Sequence, residues 1–379
     1  MRILVTGCDG YCGWPIVLKL LKRGHQVIGL DNGYRRQWVN EVGFESILPI
    51  MDMTTRLRTA REVMPGGRFE YHNVDLTVYG GIYGIMEKYN PDVVLHLASQ
   101  PSAPYSQMDA AHCNFTQYNN TQMMRNILWC INDLKLDNTH LVVTTTTGIY
   151  GAPKGKIPEG DLVVRGQSYP YPSMAGSWYH MSRAHDAANL WLANKQFKYP
   201  ISELRTSIVA GTSTEETRLH PRLCTRFDVD YYFGVVVNRF VAMAMSGSRL
   251  QVYGKGKQLK PMISLEDMVT STVKCCEMNI DPKRKKYEIY NQLEKPISIV
   301  ELATWVKDAV EEKLNRTVQL DHVPNPRIED EEHKMTIDNR KFIVDLCDSS
   351  IQVTINSAIE QMVGDLYSYK NKFTDFMKR

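Results

Sequence analysis

Gly7, Gly10 and Gly13 stand in the run Thr6-Gly7-Cys8-Asp9-Gly10-Tyr11-Cys12-Gly13, and their setting constrains the fold more than any other feature of the chain. The run follows an apolar strand signal, Ile3-Leu4-Val5, and opens a helical pattern from Trp14 to Arg23. Glycines at this GxxGxxG spacing let the backbone turn sharply and approach a diphosphate with no Cβ in the way. The start of the helix adds unpaired N–H donors and the positive end of a dipole. A glycine-rich turn without a ligand is the alternative; the strand-loop-helix context favours the phosphate reading.

Asp31 closes the next strand signal, about 20 residues on, where a carboxylate accepts hydrogen bonds from both hydroxyls of an adenosine ribose. It favours NAD as cofactor and repels the extra phosphate of NADP. Arg35 and Arg36 nearby partly offset that repulsion, and Arg36 is counted among the cofactor residues. Asp75 follows the strand-like stretch from His72 to Val74 and either holds the adenine edge or occupies a solvated turn.

The first half of the chain alternates β-branched runs with helical patterns. Ile3 to Val5, Gln26 to Leu30, Val93 to Leu97, His140 to Thr144 and Ile201 to Arg205 read as strands. Trp14 to Arg23, Tyr79 to Tyr89 and Gln117 to Leu134 read as helices. This is the pattern of an α/β chain with a Rossmann-type doubly wound parallel sheet. Asn32 to Phe69 is too long for a simple connection and reads as an insertion with helical patterns of its own. Beyond residue 205 the alternation gives way to short mixed elements. The expected division is a dinucleotide-binding domain with the catalytic helix over residues 1–205. Residues 206–379 are predominantly a smaller mixed α/β substrate lobe, some segments of which return to the first domain. Leu250 to Tyr253 reads as a strand before the turn Gly254-Lys255-Gly256, and Asn356 to Lys378 as an amphipathic helix.

A chain of 379 residues with 43% hydrophobic content supports such a two-lobed core. Its net charge of +3 comes from nearly balanced acids and bases. No dense basic stretch suggests nucleic acid or anionic lipid as a partner. No apolar run approaches a membrane span of about 18 residues. The opening Met1-Arg2-Ile3-Leu4-Val5 reads as a core strand rather than a cleaved leader. Eight scattered cysteines show no CxxC spacing suited to zinc, so no metal is expected and a reducing cytoplasm is.

Chemistry enters with Tyr179-His180-Met181-Ser182-Arg183, which sets a phenol and a cation four residues apart and so on one face of a helix. Upstream, Thr144-Thr145-Thr146-Thr147-Gly148-Ile149-Tyr150-Gly151 ends a strand. Oxidising a sugar alcohol needs a base for the hydroxyl proton, and a phenol with an ordinary pKa near 10 is rarely ionised at neutral pH. Lowering it by about three units requires about 4 kcal/mol. A positive charge at about 4 Å in an effective dielectric of about 20 supplies that much, so Arg183 together with a nicotinamide ring suffices. An ordinary surface pair on a helix is the competing reading of Tyr179 and Arg183.

The YxxxR pair resembles the YxxxK of short-chain dehydrogenases, and the threonine segment resembles their Ser/Thr-rich segment ending in Tyr-Gly, with Thr146 at the catalytic Ser/Thr position. Along nearly its full length the chain resembles the extended short-chain dehydrogenases that act as nucleotide-sugar epimerases and dehydratases. His96-Leu97-Ala98 and Asn120 fit the cofactor-lining segments, so the resemblance implies that Ala98, Asn120, Tyr179 and Arg183 meet NAD. A closer similarity is to UDP-sulfoquinovose synthases. It is carried by Gly10-Tyr11-Cys12-Gly13-Trp14, Ser102-Ala103-Pro104-Tyr105-Ser106, Thr116-Gln117, Asn119-Asn120, Val252-Tyr253-Gly254-Lys255-Gly256, Val323-Pro324-Asn325-Pro326-Arg327 and Glu331-Glu332-His333.

That family oxidises C4 of UDP-glucose, eliminates water across C5 and C6, and adds sulfite at C6. The departures fall on these steps. Thr146-Thr147-Gly148-Ile149 lacks the carboxylate that the synthases carry before Tyr-Gly, and Thr147 and Gly148 replace the Asp-Glu pair of 4,6-dehydratases. Pro101 after Gln100 replaces an arginine, Arg183 a lysine, and Lys260 an arginine. His180, common to the pattern, is either an acid or base for the elimination or a packed helix residue. For the sugar nucleotide, Gln100, Thr146, Lys260, Arg239, Arg327 and Gln251 are the candidates, with Arg239 and Arg327 on the diphosphate and Gln251 near the base. Arg239 could equally serve a helix end. The resemblance also implies a homodimer. Simple 4-epimerisation of a UDP-hexose and a non-catalytic NAD-binding regulator remain as alternatives.

Overall fold

The computed structural model describes residues 1–153, 155–279, 286–324 and 335–376, with residues 374–376 described by backbone alone. At its centre lies a sheet of seven strands: β1 (Arg2–Thr6), β2 (Gln26–Asp31), β3 (Arg68–Asn73), β4 (Val93–His96), β5 (His140–Thr146), β6 (Ile201–Thr206) and β7 (Tyr287–Gln292). Every pairing is parallel, in the order β7-β6-β5-β4-β1-β2-β3. Chain order reverses between β1 and β4, the switch point at which a sheet of this kind opens a crevice beyond its carboxyl ends.

The apolar run at the start of the chain explains β1's central place. Ile3 and Val5 enter one core with Trp14 and Leu18, while Leu4 enters the opposite core with Ile28, Met124 and Ile127. A strand buried on both faces needs helices on both. Gly13–Lys22 covers the first face, and Tyr79–Tyr89, Ala110–Asp133 and Trp178–Phe197 cover the second.

Most strand expectations hold to within two residues at each end, and β2 runs on to include Asp31; the strand-like stretch expected from His72 to Val74 is instead β3, which starts four residues earlier at Arg68 and ends at Asn73. Two helices differ from the sequence reading. The one expected from Gln117 starts at Ala110, where Asp109 accepts from His112 N at 2.9 Å. Its polar first turns lack an apolar period, so only the capping aspartate marked the true start. The terminal helix is divided into Ile355–Leu366, a 3-10 turn at Tyr367–Tyr369, and Lys370–Phe376. Asn32 to Phe69 holds the helices Tyr34–Glu41 and Met53–Val63 and the first residues of β3.

Past β6 a further core forms around helices Val236–Ser246, Ile299–Leu314 and Ile355–Leu366. Strands Ile208–Ala210, Leu259–Ser264 and Lys295–Ser298 make a small mixed sheet, and Leu250–Tyr253 pairs with Leu320–Val323. The chain re-enters the main sheet as β7. No helix among the described residues is long and apolar enough to cross a membrane.

Candidate active site

A cavity of about 1460 Å³ opens at the carboxyl ends of β1, β2, β4 and β5, between the main sheet and the elements that follow β6. One wall is the glycine loop. Gly7 has φ of 72°, and a Cβ there would lie 2.8 Å from Ala98 N; one on Gly13 would lie 2.0 Å from Gly7 O. The loop therefore packs backbone on backbone at a density that only glycine permits. Cys12, at the N-cap of the helix it opens, makes no side-chain cap bond, whereas Ser177 caps the Trp178–Phe197 helix through His180 N at 3.1 Å. Gly10, Tyr11, Cys12 and Gly13 line the cavity at this helix start, where a backbone without a side-chain cap suits a diphosphate. Ala98 also lines it, its amide 3.2 Å from Thr6 Oγ1.

Asp31 lies on the same wall. Its Oδ1 accepts from Gly33 N (2.8 Å) and its Oδ2 from Asp9 N (3.0 Å), leaving further lone pairs on both oxygens. Burial, with the Asp9 carboxylate nearby, holds its pKa above the usual value. The donor set thus fits a dinucleotide: amides for the phosphates at one end and a carboxylate for a ribose at the other.

Several residues assigned to ligands from the sequence are engaged within the protein instead. Arg36 grips both oxygens of Asp9, at 2.6 and 2.9 Å, and the cavity wall carries Arg35 in its place. Asp75 Oδ1 accepts from Thr77 N and Thr77 Oγ1, each at 2.8 Å, and the wall there is formed by Val74 and Leu76. Gln100 is fully buried, its amide nitrogen 2.8 Å from Thr116 Oγ1 and its oxygen taken by Ser102 N. Ser99 and Pro101 line the cavity on either side of it. Asn120 clamps the Gln100 backbone through both N–H and carbonyl (2.8 and 3.1 Å) and donates to Ser182 Oγ at 2.9 Å. Asn120 therefore joins the loop after β4 to the catalytic helix.

The reacting groups converge. Thr146, Tyr179, His180 and Arg183 all line the cavity. Ser106, from the loop whose sequence carried the closer resemblance, accepts from Tyr179 N at 3.1 Å and fixes the start of the helix. Thr146 Oγ1 accepts from Gly148 N at 3.0 Å, shaping the turn after β5. His180 Nδ1 meets Ser177 Oγ at 2.9 Å, and its ring covers Gly148 so closely that a Cβ there would sit 2.3 Å from Nε2. Burial, reinforced by Lys260, lowers its pKa to about 4, so the imidazole is neutral at pH 7.

Arg183 departs from the expected arrangement. Its Nη1 meets Asp186 Oδ2 at 2.7 Å and its Nη2 donates to the Thr144 carbonyl, with both side chains of the pair buried. Burial raises Asp186 to about 7, outweighing the attraction of Arg183. Tyr179 is not lowered as expected. Burial raises its pKa and Arg183 lowers it, while Asp186 and Cys12 raise it further. Asp186, one turn on from Arg183, offsets the cation, and the spacing of three that brings them together is visible in the sequence.

At the far end, Arg239 lines the cavity with its guanidinium 5.4 Å from the Tyr231 ring centroid, and Gln251 and Lys260 line it too. Arg327 lies outside the described residues, as do the neighbouring Asn325, Pro326, Glu331, Glu332 and His333.

Residues 3–291 match the model of the NAD dependent epimerase/dehydratase family. The UDP-sulfoquinovose synthase of Sulfolobus acidocaldarius is 36% identical over 382 residues, 99% of this chain and 95% of that protein. The chloroplastic UDP-sulfoquinovose synthase of Spinacia oleracea is 36% identical over 338 residues, 88% of this chain and 69% of that protein. Among solved structures, UDP-glucose 4-epimerase of Thermotoga maritima, crystallised with UDP-glucose, superposes with a TM-score of 0.70 at 17% identity. The match covers 97% of this chain and 99% of that one. UDP-glucuronic acid 4-epimerase of Bacillus cereus with NAD gives 0.68 at 20% identity, over 99% and 100% of the two chains. The low identity of these two speaks to fold alone; the family model and the 36% relatives go further, and by them the chain belongs to the NAD dependent epimerase/dehydratase family.

Proposed function

We propose that the protein remodels the hexose of a UDP-sugar by transient oxidation at C4, along the route of UDP-sulfoquinovose synthases. The observation that carries this reading is the convergence of Tyr179, Thr146 and His180 on one cavity with the uncapped glycine loop and Asp31. NAD, when bound, supplies the hydride acceptor for C4. Tyr179 takes the C4 hydroxyl proton, with Arg183 favouring its ionised form, and Thr146 aligns the same hydroxyl. A C4 ketone acidifies the C5 proton. With the carboxylates absent at Thr147 and Gly148, the neutral imidazole of His180 is the base available for that proton, its Nδ1 oriented by Ser177. Arg239 and Arg327 are assigned to the substrate diphosphate, Gln251 to the base, and Lys260 to the sugar end beside His180.

A second reading, simple 4-epimerisation, is favoured by the same missing carboxylates. Incubating the protein with UDP-, GDP- and dTDP-hexoses, with and without sulfite, and identifying products by mass and NMR separates the two. An added sulfonate supports the synthase route, and a product of unaltered mass supports epimerisation. No turnover of any sugar would overturn both and leave a non-catalytic regulator.

The free state of all eight cysteines suits a reducing cytoplasm. A homodimer is assigned to the helices Ala110–Asp133 and Trp178–Phe197, on which Tyr118, Trp129, Trp191 and Leu192 are each exposed.

A further inference from the structure

Two arginines follow the ribose carboxylate closely, in Asp31-Asn32-Gly33-Tyr34-Arg35-Arg36. By charge and position such a pair suits the 2′-phosphate of NADP, because guanidinium forks match phosphate oxygens. In the structure each guanidinium is already engaged, although Arg35 lines the cavity and its Nη1 has no hydrogen-bond partner within the protein. Arg35 Nη2 lies 2.5 Å from Asp228 Oδ2, and its guanidinium stacks 3.9 Å from the centroid of Phe233. Arg36 sets Nε and Nη2 on the two oxygens of Asp9, at 2.6 and 2.9 Å, and Nη2 also reaches Met51 O at 2.7 Å.

Asp9 is itself fixed. Arg56, fully buried, brings Nη1 to 2.7 Å from Asp9 Oδ1. Its Nη2 lies 2.7 Å from Cys224 O, and its guanidinium 4.6 Å from the Trp14 ring centroid. Meanwhile the Asp9 amide donates to Asp31 Oδ2 at 3.0 Å. One residue of the glycine loop thus touches the ribose carboxylate with its backbone and draws off the neighbouring arginine with its side chain. The cluster of Asp9, Asp31, Arg36 and Arg56 is neutral as a whole, so direction decides. Asp31 lines the cavity; Asp9, Arg36 and Arg56 do not.

We infer that Asp9 is a specificity-determining residue for the cofactor: by holding Arg36 in a two-pronged ion pair off the cavity wall, it keeps that guanidinium from the 2′ position beside Asp31 and so disfavours NADP. The inference rests on the dinucleotide reading of the loop and deepens it. A carboxylate that keeps a guanidinium away from a site discriminates as effectively as one that repels the ligand directly.

The test is calorimetric titration of NAD and NADP into the full-length protein freed of carried-over nucleotide, with no sugar present. Asp9→Asn should shift the NAD-over-NADP preference at least tenfold toward NADP, chiefly by tighter NADP binding. Adding Arg36→Ala to it should abolish the gain. Arg36→Ala alone, at a partly exposed position, should leave the preference within twofold, because that arginine does not reach the ribose site. Should Asp9→Asn strand Arg56 and fail to fold, Asp9→Asn with Arg56→Met removes the buried cation and asks the same question. A folded Asp9 variant with unaltered preference overturns the inference, and so does NADP binding that weakens in Arg36→Ala alone. Failure of the unaltered protein to bind either nucleotide would instead overturn the dinucleotide reading, a result recognisably different from an unchanged ratio.

Discussion

Tyr179 sits between opposed charges. Its phenol is disfavoured as an anion by burial and by Asp186, and favoured by Arg183, which is paired with that same Asp186. Tyr179→Phe should still bind NAD and lose turnover by about 10²–10⁴-fold, the usual contribution of a positioned base; calorimetry and initial rates check the two halves. Asp186→Asn removes a negative charge that raises the phenol pKa, so the acid limb of the rate profile should move to lower pH by about one unit. Absorbance titration of tyrosinate, differenced against Tyr179→Phe, measures the same displacement without turnover. The remaining groups around this phenol are Cys12 in the glycine loop, His180 and Lys260 at the sugar end, and His96, Glu203 and Arg125 beside the Arg183/Asp186 pair. None of these charges is altered by the substitution, so the displacement reports Asp186. Breaking the buried pair also lowers stability, by about 3–5 kcal/mol where the partner is left uncompensated.

The turn after β5 shows how one element sets the position of another. Gly148 leaves room for the His180 ring from the Trp178–Phe197 helix, and in Gly148→Ala the new Cβ would fall 2.3 Å from that ring. The imidazole must move. Turnover should then fall at least tenfold while NAD affinity, set at the glycine loop, changes less than twofold. Equal loss of both would show that the turn supports the whole cleft rather than His180 alone. The space beside Gly148 is thus filled by the ring of a neutral histidine.

For the molecule as a whole, acid stability and assembly follow from burial. Burial lowers His96 to about 3, His140 to about 4 and His180 to about 4, with Arg183 adding to the effect on His96 and Lys260 to that on His180. A histidine with a depressed folded pKa binds fewer protons folded than unfolded. Its contribution is therefore intact above the unfolded value of 6.5 and is lost as pH falls toward 4. Each such group costs about 1.4 kcal/mol per pH unit across that window, so melting temperature should drop steeply between pH 6 and 4, and His140→Gln should flatten the fall. Trp129→Glu combined with Trp191→Glu should turn the proposed dimer into a monomer by light scattering, with NAD affinity retained; an unchanged mass would place the interface elsewhere.

The strands, the glycine loop, Asp31 and the Tyr179/Arg183 helix were legible in the linear order of residues because each is a local pattern: an apolar run, a fixed glycine spacing, a repeat of four on one helical face. Folding alone assigned partners to the charges. Arg36 and Arg56 both go to Asp9, Arg35 goes to Asp228, and Asn120 on its helix goes to the Gln100 backbone, whereas Arg183 with Asp186 and Asp75 with Thr77 are near neighbours along the chain. A side chain's charge can be read at its position, but the group that neutralises it comes from whatever the sheet brings within 3 Å, and that distance does not exist until the chain has closed on itself.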